Sequence, residues 1–90
     1  LGIVVSNTTL SGEPARKVVM GGTRNGIPFQ SKLIVALHNG TGYSIGGTGP
    51  TQLAERIGQI PYSTVDANIE AIASSFRFEG MPNIIYPKAY

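Results

Sequence analysis

The stretch Pro-Phe-Gln-Ser-Lys-Leu-Ile-Val-Ala-Leu-His-Asn-Gly-Thr, residues 28–41, constrains the fold more than any other part of this chain. Its odd positions Phe29, Leu33, Val35 and Leu37 fall on one side of an extended backbone, and Gln30, Lys32 and His38 fall on the other. Such period-2 patterning is that of a β-strand with the apolar side toward a core, and Ile34 and Ala36 imply that the second side is partly covered as well. The strand runs into Asn39-Gly40, a dipeptide suited to a tight turn with positive φ. Asn39-Gly40-Thr41 also has the pattern of an N-glycosylation acceptor, as does Asn7-Thr8-Thr9. Asn39 and Asn7 are therefore the candidate modification sites.

The rest of the chain is read around that strand. Residues 1–5 and 16–20 are short apolar strands, with Gly12 in a turn between them and Gly21-Gly22 closing the second. Arg24-Asn25-Gly26 is a further turn, so residues 16–37 form a β-hairpin with a loose loop. Residues 41–45 return as a short strand, and Gly46-Gly47-Thr48-Gly49-Pro50 reads as a flexible loop. Residues 51–57 suit one or two helical turns capped by Gly58. Over residues 63–78 two periodicities compete. Val65, Ile69, Ile72 and Phe76 make a helical stripe, and Ser63 with Asp66 resembles a capping box. Ile72, Ser74, Phe76 and Phe78 instead share one strand face, and the serines and phenylalanines tip at least residues 71–78 toward strand. A turn at residues 80–82 and a last strand at 83–86 complete the reading.

Twelve Gly and six Pro among 90 residues interrupt helices and favour short strands with turns. The expected fold is mostly β: one domain over residues 1–90, an immunoglobulin-like β-sandwich, complete or incomplete, with at most one or two short helices. The chain opens on Leu1 and stops at Tyr90 straight after an apolar run, which reads as a processed or partial chain.

Chemistry is weakly signalled. The Gly-rich segment lacks the Lys of a P-loop and the third Gly of a dinucleotide fingerprint. His38 is the only histidine, and the acids Glu13, Glu55, Asp66, Glu70 and Glu79 are scattered without metal-ligand or paired-acid spacing. No G-x-S-x-G elbow occurs. No cofactor, metal site or catalytic residue is expected, and His38 reads as a turn-bonded or solvated side chain. Tyr43, Tyr62, Tyr86 and Tyr90 fit boundary packing or an aromatic binding face. Charged residues are 13% of the chain and Arg16-Lys17 is the only adjacent basic pair, so the concentrated patch that nucleic acid needs is missing. The chain has no cysteine and therefore no disulfide framework.

Lys32 to Ile45 (KLIVALHNGTGYSI), followed later by Ile69 to Phe78 (IEAIASSFRF), resembles the luminal domain of the alpha subunit of the translocon-associated protein complex, the signal sequence receptor. Residues 33–40 are similar to a family strand of the type FLVGFTNKG, and residues 73–78 to a strand ending ASFRYP. Asn25-Gly26-Ile27-Pro28 is similar to the approach to that strand in fungal relatives. Where the family has a short hairpin, residues 46–69 stand as an insertion. The resemblance implies an immunoglobulin-like domain in the endoplasmic-reticulum lumen, a membrane anchor beyond this chain, and a non-enzymatic accessory role at the protein-conducting channel. Its partners would be other protein subunits. The alternative is a structural β-domain of a larger assembly, a viral capsid, phage tail or adhesin, located in a virion or outside the cell. Sparse charge and abundant Gly suit a subunit that buries its edges in neighbours.

Overall fold

A computed structural model of the protein describes residues 2–52 and 58–78. The chain is mostly β. Among the described residues four strands, β1 (Ile3–Leu10), β2 (Glu13–Arg24), β3 (Ile27–His38) and β4 (Thr41–Pro50), form one antiparallel sheet in the order β1-β2-β3-β4, and one helix, α1 (Tyr62–Ser75), follows.

The three turns explain the regularity of this meander. Each has two central residues, Ser11-Gly12, Asn25-Gly26 and Asn39-Gly40, with φ of 53° and 81°, 52° and 78°, and 52° and 78°. Two consecutive positive φ values are the signature of the type I′ hairpin turn, whose twist matches that of the flanking strands. Such a turn leaves no freedom in pairing. Leu10 lies opposite Glu13, Arg24 opposite Ile27 and His38 opposite Thr41, and each register continues unbroken along the hairpin. Strand therefore extends further than composition suggests. Ser6 to Leu10 continue β1, Gly21 and Gly22 lie inside β2, and residues 46–50, read above as a flexible loop, are the second half of β4.

Two glycines of β4, Gly47 and Gly49, make room for the helix. A Cβ on Gly47 would lie 2.7 Å from Val65 Cγ1, and one on Gly49 would lie 3.0 Å from both the Ile60 carbonyl oxygen and the Tyr62 nitrogen. Two missing side chains in alternate positions make a shallow channel on one face of β4, and α1 lies in it. The strand expected over residues 71–78 is instead helix to Ser75, with an extended exit through Phe76. Val65, Ile69, Ala73 and Phe76 pack on the sheet, whereas Ile72 is 51% exposed. Ser74 and Ser75 hydroxyls donate to the carbonyls of Ala71 and Ile72, so these serines close the last helical turn rather than favour a strand. The capping box is likewise not formed. Pro61 holds the N-cap with no side-chain cap, and Asp66 turns toward the sheet.

The core sits between α1 and the face carrying Ala15, Ile34, Ala36, Tyr43 and Ile45, and is closed by Leu10, Ile69 and Phe78. The side of β3 under the helix is thus that of Lys32, Ile34, Ala36 and His38, not that of Phe29, Leu33, Val35 and Leu37. Two features override the hydrophobic pattern. The channel in β4 opens on the former side. Lys32, only 7% exposed, meets Asp66 and Glu70 on the helix, and Lys17 meets Glu70 at 3.3 Å. The Lys32 amine is pushed down by burial, but Asp66 and Glu70 outweigh this and hold its pKa above the ordinary value. Glu70 is held below the ordinary carboxylate range, chiefly by the hydrogen bond from Lys32 and further by Lys17, against the effect of burial.

No second sheet is present among the described residues, so the described architecture is one open sheet with a helix on one face. The helical turns expected at 51–57 fall mostly outside the described residues, and the turn at 80–82 and strand at 83–86 do so entirely.

Candidate interaction surface

Among the described residues no element packs on the face of the sheet away from α1, although Pro50 at its far end is fully buried. Because the register is continuous, its side chains fall into rows across the four strands. Thr9, Pro14, Leu37 and Gly42 make one row, and Asn7, Arg16, Val35 and Ser44 the next. Val5, Val18, Leu33 and Gly46 follow, then Ile3, Met20, Ser31 and Thr48, with Gly22, Phe29 and Pro50 beyond. Ile3 is 67% exposed, Val5 53%, Met20 36% and Leu37 68%, and Val18, Leu33 and Val35 are partly open. On the central row, Leu33 leans over Gly46, where a Cβ would come within 2.7 Å of its Cδ1. The face is therefore apolar in its middle.

Among the described residues its charges are all of one sign. Arg16 and Arg24 are on it, Arg24 lying over the Phe29 ring at 5.5 Å from the centroid. The carboxylates of the described residues, Glu13, Asp66 and Glu70, are engaged on the helix side with His38, Lys32 and Lys17. Arg16 sits in a shallow depression bounded by Asn7, Pro14, Val35 and Leu37, exposed and without a carboxylate partner among the described residues. Four strands at about 4.8 Å spacing and about ten residues of rise give this face roughly 650 Å² in projection. That approaches the roughly 800 Å² per partner of a standard protein–protein interface.

The remaining groups with chemical potential are occupied. His38, expected as a turn-bonded side chain, is half-buried. Its Nδ1–H donates to Glu13 Oε2 at 2.9 Å, and its Nε2 accepts from Asn39 Nδ2 at 3.3 Å. Its ring stacks on Phe78 at 4.2 Å between centroids, and Tyr43 and Phe76 meet Phe78 edge-on at 4.9 Å and 5.0 Å. The histidine is brought to a carboxylate, as an acid–base site requires, but a neutral ring in this setting has both nitrogens satisfied. No hydroxyl is hydrogen-bonded to it among the described residues. Tyr43 belongs to this cluster and Tyr62 starts the helix, so the two do not share a binding face, and Tyr86 and Tyr90 lie outside the described residues. No three His, Asp or Glu side chains converge as a metal site would need among the described residues.

The two acceptor asparagines differ. Asn39 is exposed at the tip of the β3–β4 turn. Asn7 is exposed too, but its side chain lies on the open face beside Arg16. No described helix is long and apolar enough to cross a membrane. No family model matches the chain, and no curated relative or solved structure matches it either.

The sequence reading singled out Leu33, Val35 and Leu37 but assigned them to the core, and it passed over Ile3, Val5, Val18 and Met20 as parts of short strands. Residues 3–10 and 14–20 carry no alternation of their own; the signal available was the turn chemistry, which fixes a meander register that puts these side chains on the same side as Leu33.

Proposed function

We propose that this chain is a non-enzymatic protein-interaction domain that docks through its uncovered sheet face. The observation that carries the reading is the contiguous row structure of Ile3, Val5, Val18, Met20, Leu33, Val35 and Leu37, with Ile3, Val5, Met20 and Leu37 exposed and the other three partly open, in a domain whose one described helix covers the other face. Side chains of this kind cost free energy in water, about 25 cal/mol per Å² of apolar surface. Monomeric proteins rarely present such contiguous area without a partner.

The occupant that fits is a sheet of another protein with an apolar centre and a carboxylate placed opposite Arg16. Sheet-on-sheet packing would complete the two-layer sandwich expected from the sequence, the second layer coming from the partner rather than from this chain. Charge argues for a different protein over a second copy packed face to face. Self-packing would bury Arg16 with only Arg16 and Arg24 of the other copy as charged neighbours, and an unpaired buried guanidinium is strongly destabilising. Placement in the endoplasmic-reticulum lumen, as an accessory of the translocation machinery, rests on the family resemblance, with Asn39 as the glycan-bearing residue. A subunit of a larger assembly is the rival reading and would use the same face.

Photo-cross-linking from position 37 in the native host tests the docking. A single dominant adduct is expected from Leu37, absent from the exposed helix position Ala71 and lost with Arg16→Glu. Equal adducts from both positions, or an adduct indifferent to Arg16→Glu, would refute it. Intact mass of the protein from its source, before and after glycosidase, decides the luminal placement.

A further inference from the structure

The open edge of β1 is a second surface, distinct from the face. The backbone alternates along this strand. The Gly21 N–H donates to the Gly2 carbonyl at 2.9 Å, and Leu10 and Glu13 flank a two-residue turn as its closing pair. In an antiparallel ladder both facts put the even positions Val4, Ser6, Thr8 and Leu10 in hydrogen bonding with β2. Ile3, Val5, Asn7 and Thr9 then direct their N–H and C=O groups outward. None of the backbone hydrogen bonds made elsewhere in the described chain reaches these groups, and among the described residues β2 is the only strand paired with β1.

The other edge of the sheet is defended and this one is not. By the same alternation, the outward positions of β4 are Gly42, Ser44, Gly46, Thr48 and Pro50, three of five being Gly or Pro. Pro has no N–H to give and Gly weakens a strand. β1, with the sequence Ile-Val-Val-Ser-Asn-Thr-Thr-Leu, has no charge, no Pro and no bulge in its register. Exposed edges of that kind are templates for strand addition.

We infer that β1 pairs antiparallel with β1 of a second copy, joining two sheets into one of eight strands about a two-fold axis at Ser6. In that register Val5 meets Asn7 of the other copy and Ile3 meets its Thr9. All four outward positions of each strand are then used, giving about eight hydrogen bonds. Each contact is made twice by symmetry. The nearest like charges on the same face, Arg16 of each copy, lie three strand spacings apart, at least about 14 Å. That exceeds a Debye length of about 8 Å in physiological salt. The face-to-face arrangement buries Arg16; the edge-to-edge arrangement leaves it open. The seam is smaller than a standard interface, so dissociation is expected at micromolar or higher concentration.

Amide hydrogen exchange with sedimentation, on the full 90-residue chain from about 5 μM to about 1 mM, reads this directly. A dimer is expected at the upper end, with the amides of Ile3, Val5, Asn7 and Thr9 slowed at least tenfold there. Those of Val4, Ser6 and Thr8 should keep one rate throughout. Val5→Pro removes an outward N–H that the sheet does not use, and should leave a folded monomer at every concentration. Leu37→Lys, on the face, should still dimerise. A monomer at about 1 mM, odd-position amides that exchange fast throughout, or dimerisation lost with Leu37→Lys would overturn the edge pairing. If Val5→Pro does not fold, the alternation in the wild-type amides decides alone. Loss of face docking in the cross-linking experiment leaves these outcomes untouched.

Discussion

The channel that admits α1 is open to a direct test at Gly47. An Ala there places a Cβ 2.7 Å from Val65 Cγ1 and 3.4 Å from Ile69 Cδ1. Val65 has little room to yield, because a β-branched side chain in a helix holds essentially one χ1 rotamer. The helix must therefore move by several tenths of an ångström, loosening Ile69 at 3% exposure and the contacts around it. Overpacking of this kind costs about 1–3 kcal/mol. The exchange of Gly for Ala in a strand returns about 0.5–1 kcal/mol by lowering the entropy of the unfolded chain. The net expectation is a loss of up to about 2.5 kcal/mol, centred near ~1 kcal/mol. With an m-value of about 1 kcal/mol/M for so small a domain, the urea midpoint should fall by about 1 M. Gly42 is the control, since a Cβ there meets nothing within 4 Å. Gly42→Ala should be stabilising by about 0.5–1 kcal/mol. Val65→Ala in the Gly47→Ala background removes the clashing methyls, so the double variant should lose less than the two single losses added together. Equal midpoints for Gly47→Ala and Gly42→Ala, or strictly additive losses with Val65→Ala, would refute the account of β4 as a channel.

The clamp between Lys32 and the helix should give stability a pH dependence. Glu70 is depressed in the fold, so its contribution is full above its ordinary value of 4.5 and is lost as pH falls through the folded value. Lys32 is raised, so its contribution is full below 10.5 and is lost as pH climbs past the folded value. Thermal unfolding from pH 2 to 11 should show both flanks, and Glu70→Gln should flatten the acid one. Leu37→Lys together with Met20→Lys should leave the unfolding free energy nearly unchanged, within about 0.5 kcal/mol, while sharply reducing binding of a hydrophobic dye. A large destabilisation would mean that the face is covered in solution. Glycosidase-sensitive mass is expected on Asn39 if the domain is luminal. A glycan found on Asn7 would block the open face and the β1 edge together.

The fold was legible in this sequence wherever one residue type decides the backbone. Asn25-Gly26 and Asn39-Gly40 read directly as tight turns because little else tolerates two successive positive φ values. Gly12 was read as a turn residue, but Ser11 was not, since Ser carries no strong left-handed preference. What failed was the meaning of glycine in β4. Gly46, Gly47 and Gly49 look like a loop because their effect is not local: Gly47 and Gly49 make room for Val65 and for Ile60 and Tyr62 further along the chain, and Gly46 for Leu33 on the neighbouring strand. The same distance effect hid the helix itself. Residues 71–78 carry two periodicities, and packing into the channel, which no local pattern records, chose between them. Lys32 was invisible for the same reason. A lysine at a core position reads as surface until Asp66 and Glu70, supplied from another element, make its burial tolerable.

The inversion of the two faces follows from this. A helix settles where it can come closest, and here closeness is set by absent side chains on β4 and by acids on α1 that seek Lys32 and Lys17. The large apolar residues of β3 point the other way because Gly47 and Lys32 share one row, and the alternation of the strand then leaves Leu33 no choice. A chain selected only to bury its own hydrophobic residues would place its glycines on the face of Leu33 and dock its helix there. This chain spends its one described helix on the more polar side. It keeps Val5, Val18, Leu33, Val35 and Leu37 in register on the other side, with Arg16 among them and every described carboxylate held elsewhere. That separation is hard to understand as folding alone. It is understandable if the exposed face is shaped for something apolar and acidic that arrives from outside.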